Sequence, residues 1–367
     1  MSTYGHNHIG AVKAIRASSV EARQWSHLMV LTSRHLVTEP RDSIYALLGL
    51  LPPSAKTGFI PDYSEPVEAV LAGFVRHVVQ TCGRLEIICV PKPAMSYRLP
   101  SWVPDFSSPS PPDQEPNQTD LFLPQMADDG LLADAQFSVD LQSLTVAGLP
   151  FDTIQSVVQQ KVSAGASQPF RPQDPLKFCL CSEELAASVL AAESTPTGPH
   201  SMLNRALPVW EVLLANRLTV EDFNVKLYEF LIPWAGAAGG LALAHASSQS
   251  SAGSFRTSDE ELAVLAQLPE IEQTVRMLIY LAAVVQDRSF FATGHGFLGM
   301  GHSELQRGDE VVVALGCGTP LVLRQEGDHH VFVGPCDVRA IMDGEWVQAC
   351  RSHSPNGALD VKRYCLR

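Results

Sequence analysis

The sequence predicts an α+β fold, in which a helical and mixed body is followed by a β-rich antiparallel C-terminal lobe. A capping box at Ser258 and Glu261 opens a long helical pattern that ends near Val285. From Phe290 onward, short apolar segments are separated by turn residues such as Gly308-Asp309. We therefore divide the 367 residues into a helical and mixed segment (1–106), a β-hairpin with a helical body (107–285) and the β-rich lobe (286–367).

The stretch TEPRDSIYALLGLLPP, residues 38–53, predicts a short helix with sharp limits. Thr38 is the expected N-cap, and Gly49 can end the helix in a left-handed conformation. Pro52 and Pro53 prevent the helix from continuing. Arg41 and Asp42 at its start predict capping and an ion pair that holds the helix to the sheet.

A second helix follows, with Ser64 as the expected cap, an apolar stripe from Val67 to Val78, and Gly83 at its end. After it, LEIICV at 85–90 predicts a buried strand, and LPSWVPDFS at 99–107 predicts an extended segment with Trp102 turned inward. Alternation predicts further strands, in a hairpin within Gln136–Val157 and then at Phe290–Gly301, Glu310–Gly316, Pro320–Gln325 and His330–Val338.

Composition excludes several classes of function. The net charge of −13 argues against a nucleic-acid partner, which requires a basic surface. The longest apolar stretch, residues 231–246, is shorter than the roughly 20 residues of a membrane span and contains Pro233 and His245. Eight scattered cysteines and an N-terminus without an apolar leader predict reduced thiols and a cytoplasmic location.

The sequence predicts that neither a cofactor nor a metal is bound. The glycines at 294–301 lack the strand–loop–helix order of a dinucleotide site, and turn glycines explain them better. A Walker loop, an H-E-x-x-H helix and a Gly-x-Ser-x-Gly elbow are all absent. Asp328-His329-His330 could ligate a metal, but its position predicts a solvated turn before a strand.

Two regions resemble the fungal heterokaryon incompatibility (HET) domain. The segments TEPRDSIYALLGL, IPDYS, LEIICV and LPSWVPDFS follow one another as in the second half of that domain. FFATGHGFLGMG, RGDEVVVALGCGTPLVLR and HHVFVGPCDVRAIMDGE are similar to the β-rich C-terminal region of the same proteins. The resemblance covers about 35–105 and 288–345, and it implies a HET-like scaffold.

The chain also departs from that family. Family members carry a preceding section with a Ser-Tyr-x-Trp-Gly-type strand, which is credited with signalling. Here 37 residues precede Thr38, and they contain no such motif. His302 replaces the usual proline and Asp337 a common aromatic residue. The resemblance therefore implies a scaffold without its N-terminal signalling half.

Two functions fit this combination. The favoured one is a cofactor-independent cyclase or isomerase of fungal secondary metabolism, such as a pericyclase of the Diels–Alderase kind, which positions a lipophilic small molecule. The alternative is a non-enzymatic, heterokaryon-incompatibility-type self-recognition protein that acts through protein partners. The sequence leaves the oligomeric state open.

The enzyme hypothesis assigns a site to particular residues. Arg324, Asp343 and Glu345 are the predicted catalytic set, with a turn and a salt bridge as the structural alternative. The predicted substrate-binding residues are aromatic or small: Trp102, Trp210, Trp234, Gly239 and Ala242. The Gly/Ala-rich stretch Ala235–Ala244 could line an apolar pocket or pack closely against other helices.

Overall fold

A computed structural model describes residues 37–46, 48, 58–90, 97–107, 125–159, 173–191, 196–205, 207–214, 225–229, 231–232, 277, 281–282 and 284–367. Its α-helices are α1 Asp42–Tyr45, α2 Val67–Cys82, α3 Gln173–Ala191, α4 Val209–Leu214 and α5 Glu345–His353, and its 3-10 helices are Glu86–Cys89, Gly198–Met202 and Arg339–Ile341. Its strands are β1 Ala135–Phe137, β2 Leu144–Gln159, β3 Arg288–Thr293, β4 Leu298–His302, β5 Glu310–Ala314, β6 Leu321–Glu326, β7 His329–Asp337 and β8 Lys362–Leu366. The predicted α+β fold with a β-rich C-terminal lobe is confirmed.

Six strands close into a ring. The order β2–β3–β4–β7–β6–β5 is completed because β5 also pairs with β2. β1 and β8 pair with β2 outside this ring. Every pair is antiparallel except a single bridge between β7 and β8, at His330 and Leu366. The antiparallel C-terminal lobe expected from the sequence is therefore part of a closed ring at the centre of the described fold.

The long strand β2 turns the corner of this ring. Its central residues pair with β5 up to Thr153, and its last residues pair with β3 from Ile154 onward. The register shifts between Pro150 and Asp152 and again between Ile154 and Ser156. Such irregularities bend a strand and re-aim its side chains. Asp152 lies at this bend.

Strands β3, β4 and β5 are buried on both faces, which explains their largely apolar sequences. Along β5, Val311 and Val313 belong to the inner cluster of the ring, whereas Val312 and Ala314 contact an outer layer. Successive side chains of a strand point to opposite faces. The inner cluster consists of large apolar side chains from the strands and from α5, including Phe151, Ile154, Phe291, Phe297, Val322, Trp346 and Val347.

Two helical layers cover the ring from outside. One contains α2, the Glu86–Cys89 turn and Trp102, which is fully buried as predicted. The other contains α3, α4 and residues from 225–231 and 281–285. Strand β2 lies in the predicted middle segment yet pairs with strands of the C-terminal lobe. The division at 106/107 and 285/286 stays a prediction.

Helix α2 keeps the predicted stripe and end, but its start is different. Val70, Phe74 and Val78 are buried, and Gly83 ends the helix with a φ of 66°. The helix begins at Val67 with Pro66 in the cap position, so the prediction of Ser64 as the cap is wrong. The Ser64 hydroxyl instead donates to Asp62 Oδ1 at 2.6 Å.

The segment LEIICV is a 3-10 helix rather than the predicted strand. The backbone N–H of Leu85 donates to the carbonyl of Gly316, and that of Ile88 donates to the carbonyl of Leu85. All of its apolar side chains are buried against α2 and the sheet. Short apolar runs do not distinguish a strand from a buried helical turn, because both require burial on every side.

The TEPRD segment is clamped by Arg41 rather than capped by Thr38. Helix α1 begins at Asp42 with Arg41 in the cap position, so the prediction of Thr38 as the N-cap is wrong. The Arg41 guanidinium donates to the carbonyl of Glu65 at 2.9 and 2.7 Å. Tyr63 Oη donates to Asp42 Oδ1 at 2.6 Å. The two residues therefore hold the PDYS turn and not the sheet.

Two parts of the C-terminal region differ from the predicted strands. The expected strand Phe290–Gly301 is two strands, β3 and β4, joined by a turn at residues 294–296. Helix α5 and strand β8 were not predicted. All eight cysteines are free thiols. Among the described residues, no helix combines the length and the apolar character that a membrane span requires.

Candidate functional site

Arg324, the first predicted catalytic residue, forms a fork with Asp309. Its Nε and Nη2 lie 2.8 and 2.9 Å from the two carboxylate oxygens of Asp309, and Nη2 also donates to the carbonyl of Glu304. The Asp309 side chain is 2% exposed. This bidentate pair holds the turn before β5 against β6. The hydrogen bonds of Arg324 are thus with Asp309 and Glu304, not with Asp343 or Glu345.

Asp343 and Glu345 lie together at the start of α5. The Glu345 carboxylate accepts the backbone N–H of Asp343 at 2.8 Å, and the Asp343 residue is exposed. An acidic group in the first helical turn is favoured by the helix dipole. The structure therefore brings these two residues together and places Arg324 in a separate contact.

The predicted substrate-binding residues have different positions. Trp102 is buried in the outer layer and packs edge-on against Phe137, with ring centroids 5.5 Å apart. Trp210 lies in α4 and packs against the second helical layer. Trp234, Gly239 and Ala242, together with Ala235–Ala244, lie outside the described residues. The proposed apolar pocket stays a prediction.

A cluster of polar side chains that sequence reasoning missed lies at the corner of the ring. It consists of Asp152, His200 and His295, whose potential ligand atoms all lie within 4.8 Å of one another. Asp152 comes from the bend in β2, His295 from the turn between β3 and β4, and His200 from the 3-10 helix Gly198–Met202. We call these three residues the corner cluster.

Asp152 is fixed by backbone donors on both carboxylate oxygens. Oδ1 accepts the N–H of Thr153 and Oδ2 accepts the N–H of His295, each at 2.8 Å. The side chain is 7% exposed. A buried carboxylate needs such donors, because an unpaired one is costly to remove from water. These bonds set the direction of Asp152 toward the turn.

His295 occupies a tight turn between two glycines. The turn is closed by the N–H of Thr293, which donates to the carbonyl of Phe297 at 2.9 Å. Gly296 has a φ of 84°, which favours glycine. His295 Nδ1 lies 3.1 Å from Asp152 Oδ1, and its side chain is 41% exposed. Arg205 Nη1 donates to the His295 carbonyl at 2.9 Å.

His200 is the more enclosed of the two imidazoles. Its ring is stacked on that of His295, with centroids 4.0 Å apart and planes 9° apart, and it also contacts Trp346 at 4.5 Å. Its Nε2 lies 2.7 Å from the carbonyl oxygen of Phe151. Burial lowers the pKa of His200, and the nearby His295 acts in the same direction. At pH 7 the His200 ring is therefore mostly uncharged, and one of its two ring nitrogens carries a lone pair.

The chemistry of the corner cluster is that of a proton-transfer or cation-binding site. It joins a carboxylate to two imidazoles, one of them largely neutral. No sequence spacing indicated it, because 143 positions separate Asp152 from His295. The spacing of glycines at 294–296 predicts a turn but gives no indication that His295 between them meets a carboxylate.

Comparison with known proteins supports the C-terminal resemblance. Residues 247–354 match the family described as the Het-6 beta-barrel domain. This region includes α5 and strands β3 to β7, which are five of the six strands of the ring; the sixth, β2, lies outside the matched residues. No curated protein and no solved structure matches the chain. The HET-like character predicted from the sequence is confirmed for the C-terminal region.

Proposed function

We propose that this chain, which carries a Het-6 β-barrel domain at 247–354, is a heterokaryon-incompatibility-type recognition protein that acts through protein partners. The family match is the observation that carries the proposal. It concerns the barrel, which lies at the centre of the described fold. In this proposal the barrel is a rigid scaffold that holds the helical layers and surface loops in position for a partner.

The packing of the ring supports a scaffold. Phe291 and Phe297 are at most 1% exposed, and aliphatic side chains from β2, β5 and β6 fill the space beside them. A Cβ added at Gly299 would overlap the ring of Phe291. Interiors packed in this way transmit force and resist deformation. A lipophilic substrate would have to bind elsewhere.

The contacts of the predicted catalytic set support the same proposal. Arg324 pairs the Nε and Nη2 edge of its guanidinium with a buried carboxylate, which supports a structural role for this residue. Asp343 is exposed on the surface. A general acid or base requires an environment that shifts its proton affinity and a substrate within reach. An exposed carboxylate at a helix start lacks that environment.

The cyclase or isomerase hypothesis remains the alternative. Its pocket would need Trp234, Gly239 and Ala242, which lie outside the described residues. It would also require Asp343 or Glu345 to act on a bound small molecule. The two hypotheses therefore make opposite predictions for Asp343, whose substitution leaves the described hydrogen bonds of the fold intact.

A gene deletion with complementation tests the proposal. Deletion should allow heterokaryons to form between strains that otherwise reject each other, and it should leave the secondary-metabolite profile unchanged. Complementation with the wild-type gene or with Asp343→Asn should restore rejection to the same extent. The proposal is wrong if the deletion removes a metabolite, if strain pairing is unaffected, or if Asp343→Asn fails to complement while its protein is folded and present at normal levels.

A further inference from the structure

The corner cluster brings together three ligand types from three distant elements. Asp152 offers a carboxylate oxygen, and His200 and His295 each offer an imidazole nitrogen. Two imidazoles with one carboxylate form a donor set that zinc accepts in proteins, usually with a fourth position open to water or another ligand. Hard cations such as Mg²⁺ prefer oxygen donors only. The donor set therefore favours a borderline transition-metal ion.

We propose that Asp152, His200 and His295 form a binding site for one divalent transition-metal ion, best matched by zinc. This inference is independent of the recognition function proposed above. It runs against the expectation of a metal-free protein that the sequence motifs gave. The ion would join the bend of β2, the turn between β3 and β4, and the segment that carries His200.

Outer hydrogen bonds of the kind that orient metal ligands are present. A metal-bound histidine usually donates its other ring N–H to a carbonyl or carboxylate. His200 has this partner, because its Nε2 lies 2.7 Å from the Phe151 carbonyl oxygen, which can only accept. The Nδ1 lone pair is therefore available. Asp152 is likewise held by two backbone donors, which leave further lone pairs on its oxygens.

The stacked rings define the movement that binding requires. Two parallel imidazoles 4.0 Å apart carry their lone pairs side by side, so they do not converge on one ion. One ring must turn. His295 is free to do so, because it is 41% exposed. Its Nδ1 makes no hydrogen bond among the described residues and lies 3.1 Å from Asp152 Oδ1, so turning exchanges that contact for a shared ion.

The charges around the cluster are compatible with a cation. Asp152 supplies the negative charge, and its side chain is 7% exposed. Arg205 is a nearby cation, and its Nη1 donates to the carbonyl of His295 at 2.9 Å. Trp346 and Phe151 surround His200 and reduce its contact with water.

The chain contains a matched pair for a control. His329 Nδ1 lies 3.1 Å from Asp328 Oδ1, the same distance as between His295 and Asp152. Asp328 is 78% exposed, and among the described residues no third ligand joins this pair. His329→Ala therefore removes an imidazole beside a carboxylate without touching the proposed site.

The experiment uses the purified full chain after treatment with a chelator. Zinc titration by calorimetry should give one ion per chain and should raise Tm. Cobalt(II) should give visible absorption bands of a low-symmetry nitrogen and oxygen site. His295→Ala should weaken zinc binding by more than the roughly 10–100-fold that loss of an outer hydrogen-bond partner costs. His329→Ala should bind as the wild type does.

His295→Ala is the deciding variant, because its side chain is 41% exposed and makes no described hydrogen bond. Zinc binding by Asp152→Asn and His200→Ala is interpreted only if circular dichroism shows that these variants keep the native fold. The proposal is overturned if the wild type binds no zinc at micromolar concentration. It is also overturned if zinc binding survives His295→Ala, or if it is lost equally in His329→Ala.

Discussion

Arg84 Nη1 lies 2.8 Å from Asp128 Oδ2, and this ion pair joins the end of α2 to the loop that precedes β1. The Asp128 side chain is fully buried. Arg84 also donates to Glu86 Oε1 and to the carbonyl of Leu131. Burial raises the pKa of Asp128, although Arg84 opposes this change. The pair fastens the N-terminal layer to the barrel.

Arg84→Met should therefore lower the free energy of unfolding by about 3 kcal/mol, because it leaves a buried carboxylate without its cation. The control is Arg363→Met. Arg363 contacts Asp134 at similar distances, but both side chains are about half exposed, so the loss should be below about 1 kcal/mol. Urea unfolding measures both values. Equal effects of the two substitutions would contradict the argument.

Arg41→Ala should destabilise the protein more than Thr38→Ala does. Arg41 makes two hydrogen bonds to the carbonyl of Glu65 and a further contact with Glu39, whereas Thr38 is exposed and does not cap α1. We expect a loss of about 1.5–3 kcal/mol for Arg41→Ala and less than about 0.5 kcal/mol for Thr38→Ala. Thermal unfolding of both variants shows which substitution costs more stability. A larger loss for Thr38→Ala would indicate that Thr38 caps the helix after all.

Two glycines should respond to alanine in opposite directions. At Gly318 a Cβ would overlap the carbonyl oxygen of Gln125, so Gly318→Ala forces two backbone segments apart and should cost more than about 2 kcal/mol. At Gly73, inside α2, a Cβ meets nothing within 4 Å. Gly73→Ala should stabilise the helix by about 0.5–1 kcal/mol. The denaturant midpoints of both variants measure these changes. A Gly318→Ala variant more stable than the wild type would contradict the close approach of Gly318 to the Gln125 carbonyl.

Tyr364→Phe should make the free energy of unfolding fall less steeply as the pH rises above about 10. Burial raises the pKa of Tyr364 above its ordinary value of 10.0, and Glu310 adds to this effect. The folded chain therefore keeps the phenol proton at a pH at which the unfolded chain loses it. This contribution is complete below about pH 10 and falls as the pH rises further.

The same variant should be no less stable at pH 7. The Tyr364 hydroxyl is buried and has no hydrogen-bond partner among the described residues. Removing an unsatisfied hydroxyl should be neutral or should add up to about 1 kcal/mol. Unfolding measured from pH 7 to 11 gives both results. The prediction is refuted if Tyr364→Phe loses stability at alkaline pH as steeply as the wild type does. It is also refuted if the variant is more than about 1 kcal/mol less stable than the wild type at pH 7.

Most of the barrel could be predicted from the sequence, because short runs of strand-forming apolar residues are bounded by clear turn residues. Glu310–Ala314 and Leu321–Glu326 are examples in which glycine turns mark the limits. Helix ends were less predictable. Ser64 and Thr38 have the right chemistry for caps, but Pro66 and Arg41 occupy those positions, because side-chain contacts with the PDYS turn determine where the helices begin.

The corner cluster could not be predicted in the same way. A motif is visible in a sequence when its residues share one element, as two histidines on a helix do. Asp152, His200 and His295 share none, and only the bend in β2 and the closure of the ring bring them together. Asp337 illustrates the same limit. It departs from the family pattern, and its partner is Arg288 on a different strand, which no local pattern indicates.

The long strand β2 has a consequence for how the chain folds. It pairs with β3, β5 and β8, so residues 144–159 must wait for segments that are synthesised much later, up to Lys362–Leu366. Contacts between such remote segments close large loops before they contribute stability, and they slow folding. During synthesis, only the first residues of β2 can pair with an earlier strand, β1, and the rest of the strand lacks its partners. We expect the nascent chain to depend on chaperones until the last strand has left the ribosome.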